Sequence, residues 1–542
     1  MTTRMGDSDA LKGVFGLIAF ESIHEESLLI DELYINKKLT WVLNCIVNLT
    51  LGSQGLNYKV QSISNGLQGV VSAHPLATKA GIDCLRKGGN AYDAIVTSAI
   101  TLTVVEPMMS GALGCGVAML HSSNNENYVC NFSGLIPNKF NLDDWREKRH
   151  DSLSILSPSA INAWLQINKH FGNLSFDELF EPAINYAENG FRLTEANSFF
   201  IRVSKKDSTK KMFNDYYKNS LKAGDMLFQR KTAAALRLIA LHEGEALVNS
   251  PLSKAISLAL KRSGSSLSIE DMRKEQVSWQ KPLSAEVFSH QVCVPPPNSN
   301  GFMVLQAASM IEEFGLQGMK QNSSIYIDMV IKIIKKVLTQ SKNLKTDKPV
   351  GSGHTTTILS HDSFGNTAIM TQTLGGLYGS GIWVDDFGLP FNGLGSYCLD
   401  DLPEISREEK NVSPQRAPSP MSLVQVFQKN ELKYVFGTPG GFTIFHTELQ
   451  VLLNLLIFKM PLDEAINSPR FFIDMKGGIS IEDRVSPKVI NELIEIGYNV
   501  KALDSYSWML GCMQGFENSE IPTFVGDSRR HALSIAIQKE HS

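Results

Sequence analysis

The chain is poor in the features that define several protein classes. Its seven cysteines, Cys45, Cys84, Cys115, Cys130, Cys293, Cys398 and Cys512, are odd in number and scattered, without a CxxC pair or Cys/His ligand spacing. That pattern argues against a disulfide framework and against a zinc site, so no metal is expected. No stretch approaches the ~20 continuous apolar residues that span a bilayer, so no membrane partner is expected either. Charge of one sign is also lacking: 51 Lys+Arg face 55 Asp+Glu, a net charge of −4. Such a balance offers no general electrostatic pull on nucleic acid. No GxGxxG or P-loop sits between a strand and a helix, and no cofactor is implied. The first residues, MTTRMGDSDALKG, lack a basic-then-apolar leader, which makes a cytoplasmic chain with reduced thiols the expectation.

What remains is ordinary globular material. The 542 residues are 43% hydrophobic and 20% charged, enough to bury a core. At roughly 100–200 residues per domain, length suggests about three domains, or fewer if one sheet-based core is shared. Residues 1–66 read as an N-terminal extension, with short apolar pieces at 13–20 and 40–51 between polar turns. The run WVLNCIVNLTL at 41–51 is too short for a membrane span and reads as a buried helix or strand.

From Gly66 the pattern tightens. VVSAHPLA reads as a strand and turn, residues 77–87 as a helix stopped by Gly88-Gly89, and 91–105 as a helix of small and apolar residues ending at Glu106-Pro107. A Gly-rich turn and strand follow at 111–120. Residues 158–273 have mostly helical periodicity, broken at Gly172, Gly190, Gly224 and Gly244. Two β-branched runs about Asp362-Ser363-Phe364-Gly365-Asn366 signal a hairpin. LKYVFGTPGG reads as a strand entering a glycine turn, and 443–458 as an apolar helix. Strands and long helices in separate blocks favour sheets layered with helices over a doubly wound array.

Two segments can carry chemistry. Thr355-Thr356-Thr357 follows Gly351-Ser352-Gly353-His354. Threonines commonly begin strands, but a threonine also becomes a nucleophile when a base lies beside it. Its own α-amine, freed by chain cleavage, is one such base, with a pKa near ~8. The Gly437-Thr438-Pro439-Gly440-Gly441 turn reads as a plain tight turn or as backbone N–H groups left open to a developing oxyanion. His74, at a strand end, reads as structural. Asp385-Asp386 and Asp400-Asp401 read as solvated turns or as carboxylate pairs.

These residues resemble one family. HPLATKAGIDCLRKGGNAYDAIVTSAITLTVVEP (74–107), VPPPNSNG (294–301), TTTILSHDSFGNTAIMTQTLGGLYGSG (355–381), GTPGG (437–441), LQVLLNLLIFKMPLDEAINSPRFF (449–472) and DSRRHA (527–532) are similar, in order, to blocks of the γ-glutamyltransferases, or glutathione hydrolases. The resemblance implies an α+β fold, the four-layer αββα sandwich of the Ntn-hydrolase type, and a precursor that cuts itself before a threonine. Family spacing back from Gly365-Asn366 places that threonine at Thr355 and the cut at His354/Thr355. A large-subunit region, 67–354, and a small-subunit region, 355–542, would then stay associated. The resemblance makes Thr373 the threonine that hydrogen-bonds the nucleophile, Gly440 and Gly441 the oxyanion-hole glycines, and Ser419, Tyr397 and Asn392 the substrate-binding candidates.

The departures concern the substrate. The family's Thr-His or Ala-His pair after the nucleophile reads Thr356-Thr357. The Arg-Glu-x-Ala-Pro motif, whose arginine grips an α-carboxylate, corresponds to Ser133-Gly134-Leu135-Ile136-Pro137. The aspartate for the α-amino group aligns with Tyr397, the asparagine after the second threonine with Gly375, and one of the paired serines with Pro420. Binding a free amino-acid head group takes a cation and an anion, and both are missing from the expected places. The stretch from Asp328 to Thr355 is also shorter than in the family. The expected function is thus γ-glutamyltransferase-like amide hydrolysis or acyl transfer on a small molecule such as glutathione. The alternatives are the same chemistry on another small amide, oxamate- or acylase-like, and a non-catalytic interaction protein.

Overall fold

The computed structural model describes residues 61–148, 151–207, 221–316, 318–340, 354–399, 415–474 and 476–538. Residues 54–542 form one compact unit that contains all of them. The apolar run at 41–51, the Gly351-Ser352-Gly353 lead-in and the Asp400-Asp401 pair lie outside the described residues.

Two seven-stranded sheets dominate. The first runs, in spatial order, Leu533–Ile537, Gln68–Ser72, His354–His361, Thr367–Gly375, Cys115–His121, Asn127–Phe132 and Ser278–Gln280. The second runs Ser62–Asn65, Thr523–Gly526, Gln514–Glu517, Glu431–Gly437, Val424–Gln428, His290–Val294 and Leu283–Val287. Every neighbouring pair in both is antiparallel. Pairing begins at Ser62, four residues ahead of Gly66, where the sequence pattern tightens.

The period of two along each strand sorts side chains into three cores. Val71, Val117, Met119, Leu359 and Ile369 from the first sheet meet Cys293, Leu423, Phe427, Val435, Phe516 and Phe524 from the second. The alternate residues Val70, Ala118, Leu120, Ile358 and Met370 face outward onto the helices Ala91–Val105 and Ala160–Phe171. On the far side, Val424, Val426, Phe436 and Val525 pack under Phe302–Phe314, Ser324–Gln340 and Thr443–Leu456. Helix, sheet, sheet, helix is the expected four-layer sandwich. No helix among the described residues is long and apolar enough to cross a membrane.

Local chemistry sets the elements nearest the site. His74 Nδ1 accepts the Leu76 N–H and so caps the helix Pro75–Arg86. Asn90 and Asp93 form a capping box that starts the fully buried helix Ala91–Val105. Asp362 organises the hairpin turn, accepting Phe364 and Asn366 N–H groups on one oxygen and the Ala91 N–H on the other, which ties the turn to that helix start.

A buried ion network holds the C-terminal turn. Arg529 reaches both oxygens of Glu482, each at 2.8 Å, and Asp527 at 3.1 Å, while Arg470 reaches Asp527 at 2.7 Å. Burial alone would raise both carboxyls. Arg529 beside Glu482, and Arg470 with Arg529 beside Asp527, outweigh it and hold them below the usual carboxylate range. A depressed native value means the contribution to stability is complete above about pH 4 and is lost as pH falls through the native values. Replacing Arg529 by Ala leaves two buried carboxylates without their shared partner. Urea unfolding at neutral pH is expected to report a loss of about 3–5 kcal/mol, shrinking on acidification. A loss under about 1 kcal/mol, as for a surface pair, would contradict the network's role.

Candidate active site

Thr355 is the second residue of the strand His354–His361, buried on the face turned to the second sheet. Its register partner is Thr373, and Cys115 lies beyond Thr373 on the next strand. Between His354 and Thr355 the register slips: His354 faces Gly375, Thr355 faces Thr373, and Leu374 is left over. The extra residue donates its N–H to Met109 instead of the neighbouring strand. Bulges of this kind re-aim the groups around them, and this one falls at the peptide bond expected to be cut.

Thr373 is the hub. Its hydroxyl donates to the His354 carbonyl and accepts the Gly375 N–H at 2.8 Å and the Thr355 hydroxyl at 3.4 Å. A hydroxyl has one hydrogen and two lone pairs, so its capacity is filled. Gly375 serves this purpose through its backbone at φ 91°, a conformation that favours glycine.

Sequence reasoning missed the groups behind Thr355. Arg530 Nη1 donates to the Thr355 carbonyl at 2.9 Å. Its guanidinium also lies 5.9 Å from the Phe200 ring centre and 6.0 Å from that of Trp508, whose ring is 6.2 Å from the His354 imidazole. One cation thus bonds Thr355 directly and stands near Trp508, whose ring neighbours His354. Glu106, at the end of the helix Ala91–Val105, is buried near Arg530 and Thr356. Burial pushes its carboxyl up to about 7, against the pull of Arg530 and Thr356. Arg530 and Glu106 fall within blocks quoted above, DSRRHA and VVEP. Trp508 carried no signal in its neighbourhood.

The strand that leads into the glycine turn approaches Thr357 from the second sheet. A Cβ on Gly437 would lie 3.5 Å from Thr357 Cγ2 and 2.6 Å from Leu423, so a side chain there would hold the sheets apart. Gly440 and Gly441 take φ of 147° and 60°, and their carbonyls accept the Thr443 and Ile444 N–H groups that begin the helix Thr443–Leu456. Thr443 Oγ1 also lies 3.4 Å from the Met509 carbonyl, next to Trp508.

The substrate-binding candidates are dispersed among other contacts. Ser419 pairs with the loop at 298–300: its N–H donates to the Asn298 carbonyl at 2.7 Å, and its carbonyl accepts the Asn300 N–H at 3.0 Å. Asn298 Nδ2 donates to Ser133 Oγ at 2.7 Å, so the stretch expected to hold an arginine carries a neutral amide–hydroxyl network. The Asn392 side chain is spent on backbone, donating to the Leu113 and Leu156 carbonyls and accepting the Leu156 N–H. The Tyr397 hydroxyl would lie 3.6 Å from a Cβ on Gly376, and burial pushes its phenol up to about 12. His74 is the buried helix cap described above, and burial lowers its imidazole to about 4. Asp385 and Asp386 are exposed.

The family model of gamma-glutamyltranspeptidase matches residues 77–352 and 340–536. The acylase ACY 1 proenzyme of Pseudomonas sp. (strain V22) is 26% identical over 487 residues, covering 80% of this chain and 87% of that protein. The glutathione hydrolase proenzyme of Bacillus subtilis (strain 168) is 27% identical over 545 residues, covering 86% and 91%. The crystal structure of cephalosporin acylase from Bacillus halodurans shares the fold, with a TM-score of 0.79 at 21% identity over 91% of this chain and 98% of that one.

Arg530 bonds the Thr355 carbonyl, and the role expected of it is to position that residue. Arg530→Lys keeps the charge but loses the planar fork, and self-cleavage followed by intact mass is expected to slow by about tenfold or more. Glu106 ionises as pH rises through about 7 and then competes for the guanidinium. The wild-type rate is therefore expected to fall above that pH, and Glu106→Gln to flatten the profile. A profile that keeps its inflection in the glutamine variant would remove Glu106 from this role.

Proposed function

Since the chain belongs to the gamma-glutamyltranspeptidase family, we propose that it is a self-cleaving threonine amidohydrolase and acyltransferase acting on γ-glutamyl amides such as glutathione. The observation that carries this reading is the hydroxyl pair at the register slip: Thr355 bonded to Thr373, and Thr373 bonded to the His354 carbonyl. In the first step the Thr355 hydroxyl adds to the His354 carbonyl carbon. Thr373 donates to the oxygen where negative charge develops, and stabilisation of this kind is worth about 3 kcal/mol per well-placed donor. The C–N bond breaks, an ester to Thr355 forms, and water releases His354 as a carboxylate. Thr355 is left with a free α-amine, a base matched to neutral pH.

The same hydroxyl then attacks the amide carbonyl of the substrate, with the Gly440 and Gly441 N–H groups as oxyanion donors. The amine leaves, and water or an amine acceptor resolves the acyl-enzyme. Ser419, Tyr397 and Asn392 surround the acyl group in this reading, Asn392 by shaping the backbone of 113 and 156. A second reading keeps the chemistry and changes the amide to one without an α-amino group. Tyr397 in place of an acid, and the neutral Ser133–Asn298 pair, favour it.

Intact mass under denaturing conditions tests the proposal. Wild type is expected as two pieces, residues 1–354 and 355–542, and Thr355→Ala as one. Thr373→Ala is expected to slow cleavage by about a hundredfold or more. Release of p-nitroaniline from γ-glutamyl-p-nitroanilide, set against other small anilides, then separates the two readings. A wild-type chain that stays whole and hydrolyses none of them would defeat both.

A further inference from the structure

The residue that self-cleavage would release carries an aromatic ring, and that ring already has a place. The His354 imidazole lies 6.2 Å, centre to centre, from the Trp508 ring at an interplanar angle of 36°, a separation typical of a favourable aromatic pair. Phe200 meets Trp508 edge-on at 5.3 Å and 89°. Phe199 meets both of them, Trp508 at 6.1 Å and Phe200 at 5.1 Å. Phe200 is buried, whereas Phe199, Trp508 and His354 are half-buried, so these rings line the edge of the helical core and not its interior.

The aromatic wall is fixed independently of His354. Ser507 donates its N–H to Glu482 at 2.8 Å, and the Leu510 carbonyl accepts from Arg470 Nη1 at 3.0 Å, so the turn bearing Trp508 is tied to the buried ion network. Asn197 Nδ2 donates to the Val105 carbonyl at 2.8 Å and fixes the start of the helix Glu195–Asp207, which bears both phenylalanines. Arg530 bonds the Thr355 carbonyl at 2.9 Å and lies within 6.0 Å of the Phe200 and Trp508 ring centres. Trp508 and Phe200 therefore keep their positions relative to Thr355 when residue 354 departs, which is what a preorganised subsite requires.

Chemistry relates the released ring to the substrate. Self-cleavage joins the His354 acyl group to Thr355 Oγ1 as an ester, and turnover joins the substrate's acyl group to the same oxygen. The His354 ester is thus the chain's own acyl-enzyme, with a ring two carbons, Cα and Cβ, from the ester carbonyl. Its hydrolysis takes that ring from beside Trp508 and leaves apolar surface next to Thr355 for another ring to cover. We infer that Trp508, backed by Phe200, is the acyl subsite and takes a planar ring two carbons from the scissile carbonyl. The acyl donor is then an amide of a 3-arylpropionic acid. Thr355 Oγ1 forms the ester, the amide C–N bond breaks, the leaving amine takes the hydroxyl proton by way of the α-amine, and water releases the 3-arylpropionate. The inference rests on Thr355 being the nucleophile and deepens the second reading, an amide without an α-amino group.

The test compares 3-phenylpropionyl-p-nitroanilide with 3-cyclohexylpropionyl-p-nitroanilide, which match in length and carbon count and differ in planarity. Wild type is expected to prefer the phenyl substrate. Trp508→Leu is expected to lower the ratio of the two kcat/KM values by about tenfold, the scale of one aromatic pair, and Trp508→Phe to keep most of it. A Trp508 that only supported the fold would lower both values alike, so an unchanged ratio in Trp508→Leu would overturn the inference while leaving Thr355 as nucleophile. Binding supplies a readout independent of turnover. 3-Phenylpropionate is expected to raise the melting temperature of the cut wild type more than 3-cyclohexylpropionate does, and not to raise that of Thr355→Ala, where His354 keeps its place. Equal shifts with the two acids in wild type, or equal shifts in the two proteins, would also overturn it. A chain that neither cuts itself nor hydrolyses any anilide would count against the nucleophile, and His354→Gly would then decide the subsite. With the ring removed from a whole chain, toluene is expected to raise the melting temperature of that variant and not of wild type, and no difference between them would overturn the inference.

Discussion

The site depends on where the turn at 527–530 is held. Asp527 is fixed by Arg470 and Arg529 and by the Met513 and Arg529 N–H groups, and Arg529 is anchored further by Glu482 and the carbonyls of Ile466 and Ser468. None of these charges has water to fall back on, so a displaced member would strand the others in a low-dielectric interior. That penalty makes the turn stiff. Arg530, the next residue, inherits its position and reaches the Thr355 carbonyl at 2.9 Å. The network thus converts buried electrostatics, which are weak evidence for stability on their own, into placement of Thr355.

A second constraint is the closeness of the two sheets. Inward-facing residues fill the inter-sheet core with large apolar side chains such as Phe427, Phe516 and Phe524. Toward Thr355 the fillers become small: Thr355, Thr357, Thr371 and Thr373 on one sheet, and Gly437 opposite. Thr357 and Thr371 satisfy each other at 2.8 Å, which keeps a polar edge tolerable beside an apolar core. The taper brings a glycine turn from one sheet up to a threonine ladder on the other, two elements remote in sequence.

This explains what could be read from the sequence and what could not. The hairpin about Asp362–Asn366, the helix Ala91–Val105 and the break at Gly88-Gly89 were legible because turn chemistry and periodicity are local. The four layers and Thr355 with Thr373 were legible through resemblance, whose motifs lie in contiguous blocks. Arg530, Glu106 and Trp508 were not assigned roles, since each meets a partner far along the chain: Arg530 meets Thr355, Trp508 meets His354, and Glu106 meets Arg530. Asn392 shows the converse. A polar residue at a plausible place turns out to have its whole amide taken by backbone groups, a fact of packing that no motif records. The register slip at Leu374 is equally invisible, because nothing in the run Thr367–Gly375 marks which residue will be left unpaired.

The filled hydrogen-bond capacity of Thr373 joins the proposed self-cleavage to the proposed turnover. With His354 attached, the only hydrogen on Thr373 Oγ1 points at the His354 carbonyl, so the Thr355 hydroxyl can only donate to Thr373 and cannot be held by it as an acceptor. The arrangement suits attack on that one carbonyl and no other. Once the bond is cut and the His354 carboxylate withdraws, the Thr373 hydrogen is released while the Gly375 N–H remains. Thr373 can then donate to Thr355 Oγ1, which frees the Thr355 hydroxyl hydrogen for its own new α-amine and leaves a lone pair for the carbonyl carbon of an incoming amide. One hydroxyl with a single hydrogen thus imposes the order of events: the intramolecular substrate must leave before an external one can be served.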